Sequence, residues 1–102
     1  MEEVQSIFAG NQGGFYIREN DKQLGEMTAT IKDNELIVHH TTVLPEAEGK
    51  GFAKKLLNTM AEYARQHKLQ VIAECIYVQA QFKRHMELYA DIWKPEMNKD
   101  NL

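Results

Sequence analysis

Hydrophobic and polar residues alternate along the first half of the chain with a period of two. Met27, Ala29 and Ile31 alternate with polar neighbours between Glu26 and Lys32. This is the pattern of a strand that buries one face and exposes the other. The segment is therefore predicted to be a strand in a sheet with one covered face.

The neighbouring segments predict three more strands, separated by residues typical of turns. Glycines in the segment Asn11-Gln12-Gly13-Gly14 and the pair Asp33-Asn34 supply the reversals. In the fourth strand, alternation predicts that Leu36, Val38 and His40 share one face. It predicts that Ile37 and Val43 lie on the other. These three strands span residues 4–9, 15–19 and 35–43.

The period changes to that of a helix after Gly51. Apolar residues recur at helical spacing from Gly51 to Lys68, with charged residues on the opposite side. The segment Leu69 to Val78 is almost continuously apolar, which is typical of a buried strand. A second helix is predicted to follow and to end at Pro95. Its apolar stripe consists of Phe82, Met86, Tyr89 and Trp93.

Length and composition favour one folded domain. The chain has 102 residues, of which 43% are hydrophobic and 26% are charged, ordinary values for a globular protein. We expect a single compact domain over residues 1–94 and a polar, frayed tail over 95–102. The only cysteine, Cys75, excludes an internal disulfide, and a reducing, cytoplasmic location is expected.

Several classes of function are disfavoured by charge and patterning. The net charge of −3 argues against a general nucleic-acid binder, which needs a broad basic surface. No apolar run approaches the ~20 residues of a membrane span, and the acidic amino end does not resemble a signal peptide. His67 and His85 have no ligand partners at metal spacing, so no metal site is expected.

The segment that carries chemistry joins the fourth strand to the first helix. It reads Val43-Leu44-Pro45-Glu46-Ala47-Glu48-Gly49-Lys50-Gly51-Phe52-Ala53-Lys54-Lys55. A helix begins with about four unpaired backbone N–H groups and a partial positive charge. Glycines before it let a phosphate approach the main chain, and the lysines concentrate positive charge. The segment therefore predicts an anion-binding loop.

The same loop could also be a simple turn or one of two known nucleotide-binding motifs. Two glycines before a helix are also compatible with a simple tight turn, and the lysines with a solvated helix face. A Walker A loop requires Lys-Ser or Lys-Thr after its last glycine, whereas Lys50 lies between the glycines. A dinucleotide fingerprint requires a third glycine where Lys54 stands. Neither nucleotide motif is present.

The loop and its surroundings resemble the GNAT superfamily of N-acetyltransferases, in particular its compact subgroup of about one hundred residues. The family signature [QR]-x-x-G-x-[GA] is similar to Glu48-Gly49-Lys50-Gly51-Phe52-Ala53, with Glu48 in place of Gln or Arg. The segments His40-Thr41-Thr42-Val43-Leu44-Pro45 and Cys75-Ile76-Tyr77-Val78 add to the resemblance. It covers about residues 36 to 93.

The resemblance implies an α+β fold with a GNAT-like mixed sheet, in which an antiparallel four-strand meander precedes a helix, a strand and a helix. It also implies that acetyl-CoA (coenzyme A) is the cofactor. Its pyrophosphate would lie on the loop and its pantetheine arm along the fourth strand. The implied cofactor-binding residues are Val43, Leu44, Glu48, Gly49, Lys50, Gly51, Phe52, Ala53 and Lys54.

Three residues become catalytic candidates under this resemblance. His40 has a suitable pKa to accept a proton from an attacking amine, and Cys75 and Tyr89 could return a proton to the leaving thiolate. Each has a structural alternative: His40 as an ordinary strand residue, Cys75 as a buried core residue and Tyr89 as part of an apolar helix stripe. An acetyl-cysteine route is less favoured than direct transfer.

The resemblance thus implies an N-acetyltransferase acting on a primary amine of a small molecule or a protein. The alternative from another class is a non-catalytic module that binds or senses acyl-CoA, which the Glu48 substitution would suit. The front half is too short for the helices that larger family members insert between their first strands. An open surface is therefore expected, available to an acceptor, to a homodimer partner or to a general interaction.

Overall fold

The computed structural model describes residues 3–94. Within this range the chain forms five strands and three helices, with a short 3-10 turn before the first helix. The strands are β1 (Glu3–Ala9), β2 (Gln12–Glu19), β3 (Lys22–Lys32), β4 (Glu35–Val43) and β5 (Gln70–Ala73). The turn spans Pro45–Ala47, and the helices are α1 (Phe52–Gln66), α2 (Ile76–Arg84) and α3 (Met86–Tyr89).

The strands form one mixed sheet in the order β1-β2-β3-β4-β5. The first four pair antiparallel, and β5 pairs parallel to β4. The hairpin between β2 and β3 turns at Asn20 and Asp21, whose φ angles are 52° and 69°, which suits a tight turn between twisted strands. The predicted four-strand meander and the α+β class are confirmed.

All three helices contribute buried residues to one cluster on a single face of the sheet, the helix face. The strands contribute Phe15, Ile17, Met27, Leu36 and Val38 to it, and α1 contributes a stripe that includes Leu56, Leu57 and Met60. Burial of such side chains stabilises the fold by roughly 1.5–3 kcal/mol each. This cluster fixes the position of α1 and therefore of its amino terminus.

The opposite face of the sheet, here called the open face, is covered by no helix within residues 3–94. Alternate strand residues there, such as Tyr16, Thr28, Thr30 and Ile37, are only half buried. This matches the expectation of an open surface drawn from the shortness of the front half.

A β-bulge changes which side chains of β4 share a face. Val38 pairs with Ala29 and His40 with Thr28, which leaves His39 as an extra residue on β4. An extra residue reverses the alternation beyond it. His40 consequently lies on the open face, opposite to Val38, so the predicted grouping of these two residues was wrong.

The fifth strand is shorter than predicted. β5 ends at Ala73, whereas the apolar run predicted a strand to Val78. Val78 belongs to α2 and is fully buried there. A continuous apolar run is compatible with a buried helix as well as a buried strand, and the tertiary packing selects the helix.

The predicted second helix is broken at His85, whose φ and ψ are −126° and 51°. The break turns Met86 toward solvent, where it is 59% exposed, so its predicted place in an apolar stripe was wrong. Trp93 is buried, but it lies beyond α3 and bridges to Val71 in the sheet. Phe82 and Tyr89 do share the core, with ring centroids 4.5 Å apart.

The predicted end of the helical region at Pro95 and the polar tail over 95–102 lie outside the described residues. Within residues 3–94, no helix has the length and apolar character needed to cross a membrane.

The packing of Phe82 predicts a large loss of stability for Phe82→Ala. Phe82 is fully buried between Tyr89 and Trp93, and removal of a buried phenyl ring costs about 3–5 kcal/mol. Leu88→Ala is the matched control, since Leu88 is 58% exposed and should change stability by less than about 0.5 kcal/mol. Chemical denaturation measures both, and equal effects would contradict the described core.

Candidate active site

The site begins where β4 and β5 separate. The two strands pair only from Glu35 to Val38 on β4. At the end of this pairing the carbonyl oxygen of Val38 accepts two N–H groups, from Glu74 at 3.0 Å and from Cys75 at 3.1 Å. β4 continues to Val43, while the chain after β5 turns into α2. A gap therefore opens between the end of β4 and the start of α2.

The amino terminus of α1 faces this gap. Gly49 and Gly51 have φ angles of 85° and 78°, which favour glycine. No side chain caps the helix, and its first helical hydrogen bond runs from the Lys55 N–H to the Gly51 carbonyl at 3.1 Å. The N–H groups before Lys55 precede that bond and can serve an anion.

A groove of about 480 Å³ connects the helix terminus to β4. We call it the inner groove. A Cβ atom added at Gly49 or Gly51 would meet no protein atom within 4 Å, so the main chain is open to a ligand at both positions. The groove is lined by Thr41, Val43, Ala47, Glu48, Gly49, Gly51, Phe52, Ala53, Lys54 and Tyr77.

Seven of the nine residues predicted to bind the cofactor line the inner groove, and Leu44 and Lys50 do not. Leu44 donates its N–H to the Leu24 carbonyl at 2.9 Å, which ties it to β3. Lys50 is exposed beside the groove.

A second groove, of about 350 Å³, lies on the other side of the gap. We call it the outer groove. It shares Thr41 and Tyr77 with the inner groove, so the two meet at these residues. Its lining consists of His39, His40, Thr41, Thr42, Glu74, Cys75, Ile76 and Tyr77.

The outer groove brings together two of the three predicted catalytic residues. Cys75 immediately precedes α2, is 5% exposed, and its Sγ lies 3.2 Å from the Thr41 hydroxyl. His40 reaches the same groove from β4 and is exposed to solvent. Both residues therefore line one groove, although Cys75 lies at the start of α2 and not on a strand as predicted.

The third predicted residue, Tyr89, lies in the core and lines neither groove. Burial raises the pKa of Tyr89 above its ordinary value, against an opposing effect of Arg65. The tyrosine that reaches the site is Tyr77, which lines both grooves. Burial also raises the pKa of Tyr77, and Tyr89 and Cys75 add to that shift. The phenol of Tyr77 is thus kept protonated well into the alkaline range.

Sequence reasoning missed Tyr77 and Thr41 as site residues. Tyr77 was assigned to a strand because the apolar run does not show where β5 ends. Thr41 is brought to the helix face by the bulge at His39, since it pairs with the buried Met27. The only sequence signal for either residue is its position within the two segments that resemble the compact subgroup.

The two grooves together suit an anionic ligand at one end and a second reactant at the other. Main-chain donors and Lys54 lie at the helix terminus, whereas titratable side chains lie in the outer groove. No group of three or more histidine, cysteine or acidic residues among residues 3–94 is arranged to hold a metal ion.

Comparisons with known proteins identify the family and the fold of this chain. The sequence profile of the GCN5-related N-acetyl-transferase family matches residues 14–92. The chain is similar to the NMR structure of a GCN5-like N-acetyltransferase candidate from Staphylococcus aureus, with 31% identity and a TM-score of 0.68. That similarity covers 90% of this chain and 87% of the other. Among proteins with curated descriptions, none matches this chain.

Two other solved structures show the same fold at lower identity. The ribosomal-protein-S18-alanine N-acetyltransferase from Escherichia coli has 12% identity and a TM-score of 0.69, over 86% of this chain and 76% of that one. A GNAT-family acetyltransferase candidate from Desulfovibrio desulfuricans has 18% identity and a TM-score of 0.57, over 76% of this chain and 54% of that one.

The raised pKa of Tyr77 and of Tyr89 predicts a late phase in an alkaline titration. Both phenols should ionise above the ordinary value of 10.0. Because the folded state favours their protonated forms, the stability they contribute below pH 10 is lost as pH rises through the raised pKa values. Ultraviolet titration of Tyr77→Phe should lack one late phenol, and urea-unfolded protein should show none. An unchanged late phase in the variant would contradict the assignment.

Proposed function

Because the chain belongs to the GCN5-related N-acetyltransferase family, we propose that it is an acetyl-CoA-dependent enzyme that acetylates a primary amine of a small molecule or a protein. The observation that carries this proposal is the uncapped amino terminus of α1 beside the gap between β4 and α2. The helix terminus can bind a diphosphate, and the gap can admit an amine.

The helix terminus fits the phosphates of the cofactor. The N–H groups of residues 51–54 precede the first helical hydrogen bond, and the helix dipole adds a partial positive charge there. The space beside Gly49 and Gly51 allows close approach. Glu48 lines the groove where the family has Gln or Arg, so main-chain donors and Lys54 carry the recognition in this chain.

The free edge of β4 fits an extended arm. Beyond Val38, the side of β4 that faced β5 has no strand partner among the described residues. Amide groups of a pantetheine arm can pair with such an edge as an added strand does. Val43 and Thr41 line the groove along this edge and would guide the arm toward Cys75.

Acetyl-CoA supplies an acyl group that is activated as a thioester. The residues of the outer groove must then prepare the amine. A lysine-type amine is neutral only about once in 10³ molecules at pH 7, which corresponds to roughly 4–5 kcal/mol. His40 lies in this groove and is open to water, so we assign it as the proton acceptor, directly or through a water molecule.

The departing thiolate needs a proton donor near the junction of the two grooves. Tyr77 lies there with its phenol protonated, and Cys75 is its neighbour. We assign the donor role to Tyr77 and not to Tyr89, which lies in the core. Direct attack is favoured over an acetyl-cysteine because Cys75 is 5% exposed and its sulfur is engaged with Thr41.

Replacement of Gly51 by alanine should weaken coenzyme A binding at least about tenfold. The added methyl group lies where the main chain would meet the phosphates, and the left-handed φ adds about 1–2 kcal/mol of strain. Gly10→Ala is the matched control, because Gly10 also has a positive φ, of 66°, and open space around it. Calorimetry measures affinity and thermal unfolding measures strain. Equal affinity in both variants would refute the proposed phosphate site.

Substitution of the catalytic candidates should separate their roles. His40→Gln should lower kcat/KM by about 10²–10⁴-fold, the usual contribution of a general base. Cys75→Ala should retain most activity if direct attack is correct, and Tyr77→Phe should lower kcat. Coenzyme A affinity serves as the control for each variant. Binding without turnover of any amine would favour the acyl-CoA-sensing alternative.

A further inference from the structure

A hydrogen-bonded triad of side chains lies on the open face at the mouth of the outer groove. The Thr30 hydroxyl is 2.8 Å from Nε2 of His39, and Nδ1 of His39 is 3.1 Å from a carboxylate oxygen of Glu74. A carboxylate can only accept hydrogen bonds, so Nδ1 donates to Glu74 and, in the neutral ring, Nε2 accepts from Thr30. The histidine therefore holds the carboxylate in place.

The bulge and the end of β5 create this arrangement. His39 is the extra residue of the bulge, and Glu74 follows β5 with its N–H on the Val38 carbonyl. About one third of each side chain is accessible, 34% of His39 and 29% of Glu74. The pair is thus reachable from the solvent at the open face.

Among residues 3–94, Glu74 is the only carboxylate, lysine or arginine side chain that lines the outer groove. Its neighbour Ile76 lines the same groove and is 80% exposed. A carboxylate beside an exposed apolar side chain is complementary to a positive charge carried on an alkyl chain. Cys75, between them in sequence, is instead turned inward to Thr41.

Glu74 therefore lies apart from the inward-facing Cys75, and this position determines which group of an acceptor Glu74 can bind without hindering the reaction. A carboxylate beside the reacting nitrogen would stabilise its ammonium form and raise the pKa of the amine, which opposes attack. A second cationic group on the same acceptor can remain charged throughout the reaction. The carboxylate therefore suits a part of the acceptor that does not react.

We propose that Glu74, positioned by His39, is a specificity-determining residue that binds a second positive charge on the acceptor, and that the preferred acceptors are alkyl diamines or lysine-like amines. The acceptor enters from the open face, with its alkyl chain along Ile76 and its reacting amine toward Cys75 and Tyr77. This inference rests on the proposed function for the identity of the reacting group, although the cation site itself can be tested without turnover.

The test compares 1,5-diaminopentane with pentylamine in NMR titrations of the 102-residue chain. The wild type should bind the diamine at least about tenfold more tightly than the monoamine, the range expected for one hydrogen bond to a charged group. Glu74→Gln should abolish this preference, and Glu74→Asp should retain part of it. Glu35→Gln is the matched control, since Glu35 lies on the same face at the far end of β4 and should leave the preference unchanged.

Kinetics separate this proposal from the function on which it rests. With acetyl-CoA, Glu74→Gln should raise KM for the diamine about tenfold with little change in kcat, and should leave the monoamine unaffected. Absence of turnover with both amines would refute the amine acetyltransferase function, while the NMR preference would still report on Glu74. A wild type without preference for the diamine, or a Glu74→Gln variant that keeps it, would overturn the proposed cation site.

Discussion

The site depends on the point at which two parallel strands stop pairing. The Val38 carbonyl accepts the N–H groups of both Glu74 and Cys75, which ends the ladder between β4 and β5 and starts the turn into α2. Beyond this point one edge of β4 has no strand partner among the described residues, and a gap separates β4 from α2. The free donors and acceptors of such an edge can pair with an extended ligand, as they would with an added strand. The same hydrogen bonds place Cys75 against Thr41, which lines both grooves.

The bulge at His39 gives the gap two chemically different sides. It brings Thr41 to the helix face, where it contacts Cys75, and leaves His39 and His40 together on the open face. Without the extra residue, regular alternation would separate the two histidines and turn Thr41 away from the core. One irregular residue therefore sets both the inner contact and the outer polar cluster. Bulges next to functional sites commonly re-aim side chains in this way.

Packing on the helix face holds α1 in the position that the site requires. The cluster formed by the sheet and α1 fixes the direction of the helix, so that its amino terminus points into the inner groove. Arg65 near the end of α1 donates to Asp91 and to the Leu88 carbonyl at 2.9 and 2.8 Å, and this contact joins α1 to the segment after α3. The pKa of Asp91 is lowered chiefly by the hydrogen bond from Arg65. Because both partners are largely at the surface, the contact orients the segment more than it stabilises the fold.

The sequence by itself determined the meander, α1 and the glycine loop, because alternation, helical periodicity and glycine before a helix are local signals. The resemblance also predicted that His40 and Cys75 border one space, and both line the outer groove. The end of β5, the break at His85 and the bulge at His39 were decided by tertiary structure. An apolar run fits a buried strand or a buried helix equally well, and a bulge has no residue pattern of its own. The end of β5 and the bulge at His39 give Tyr77, Thr41 and Glu74 their places in the site, and both features depend on contacts between residues far apart in the chain.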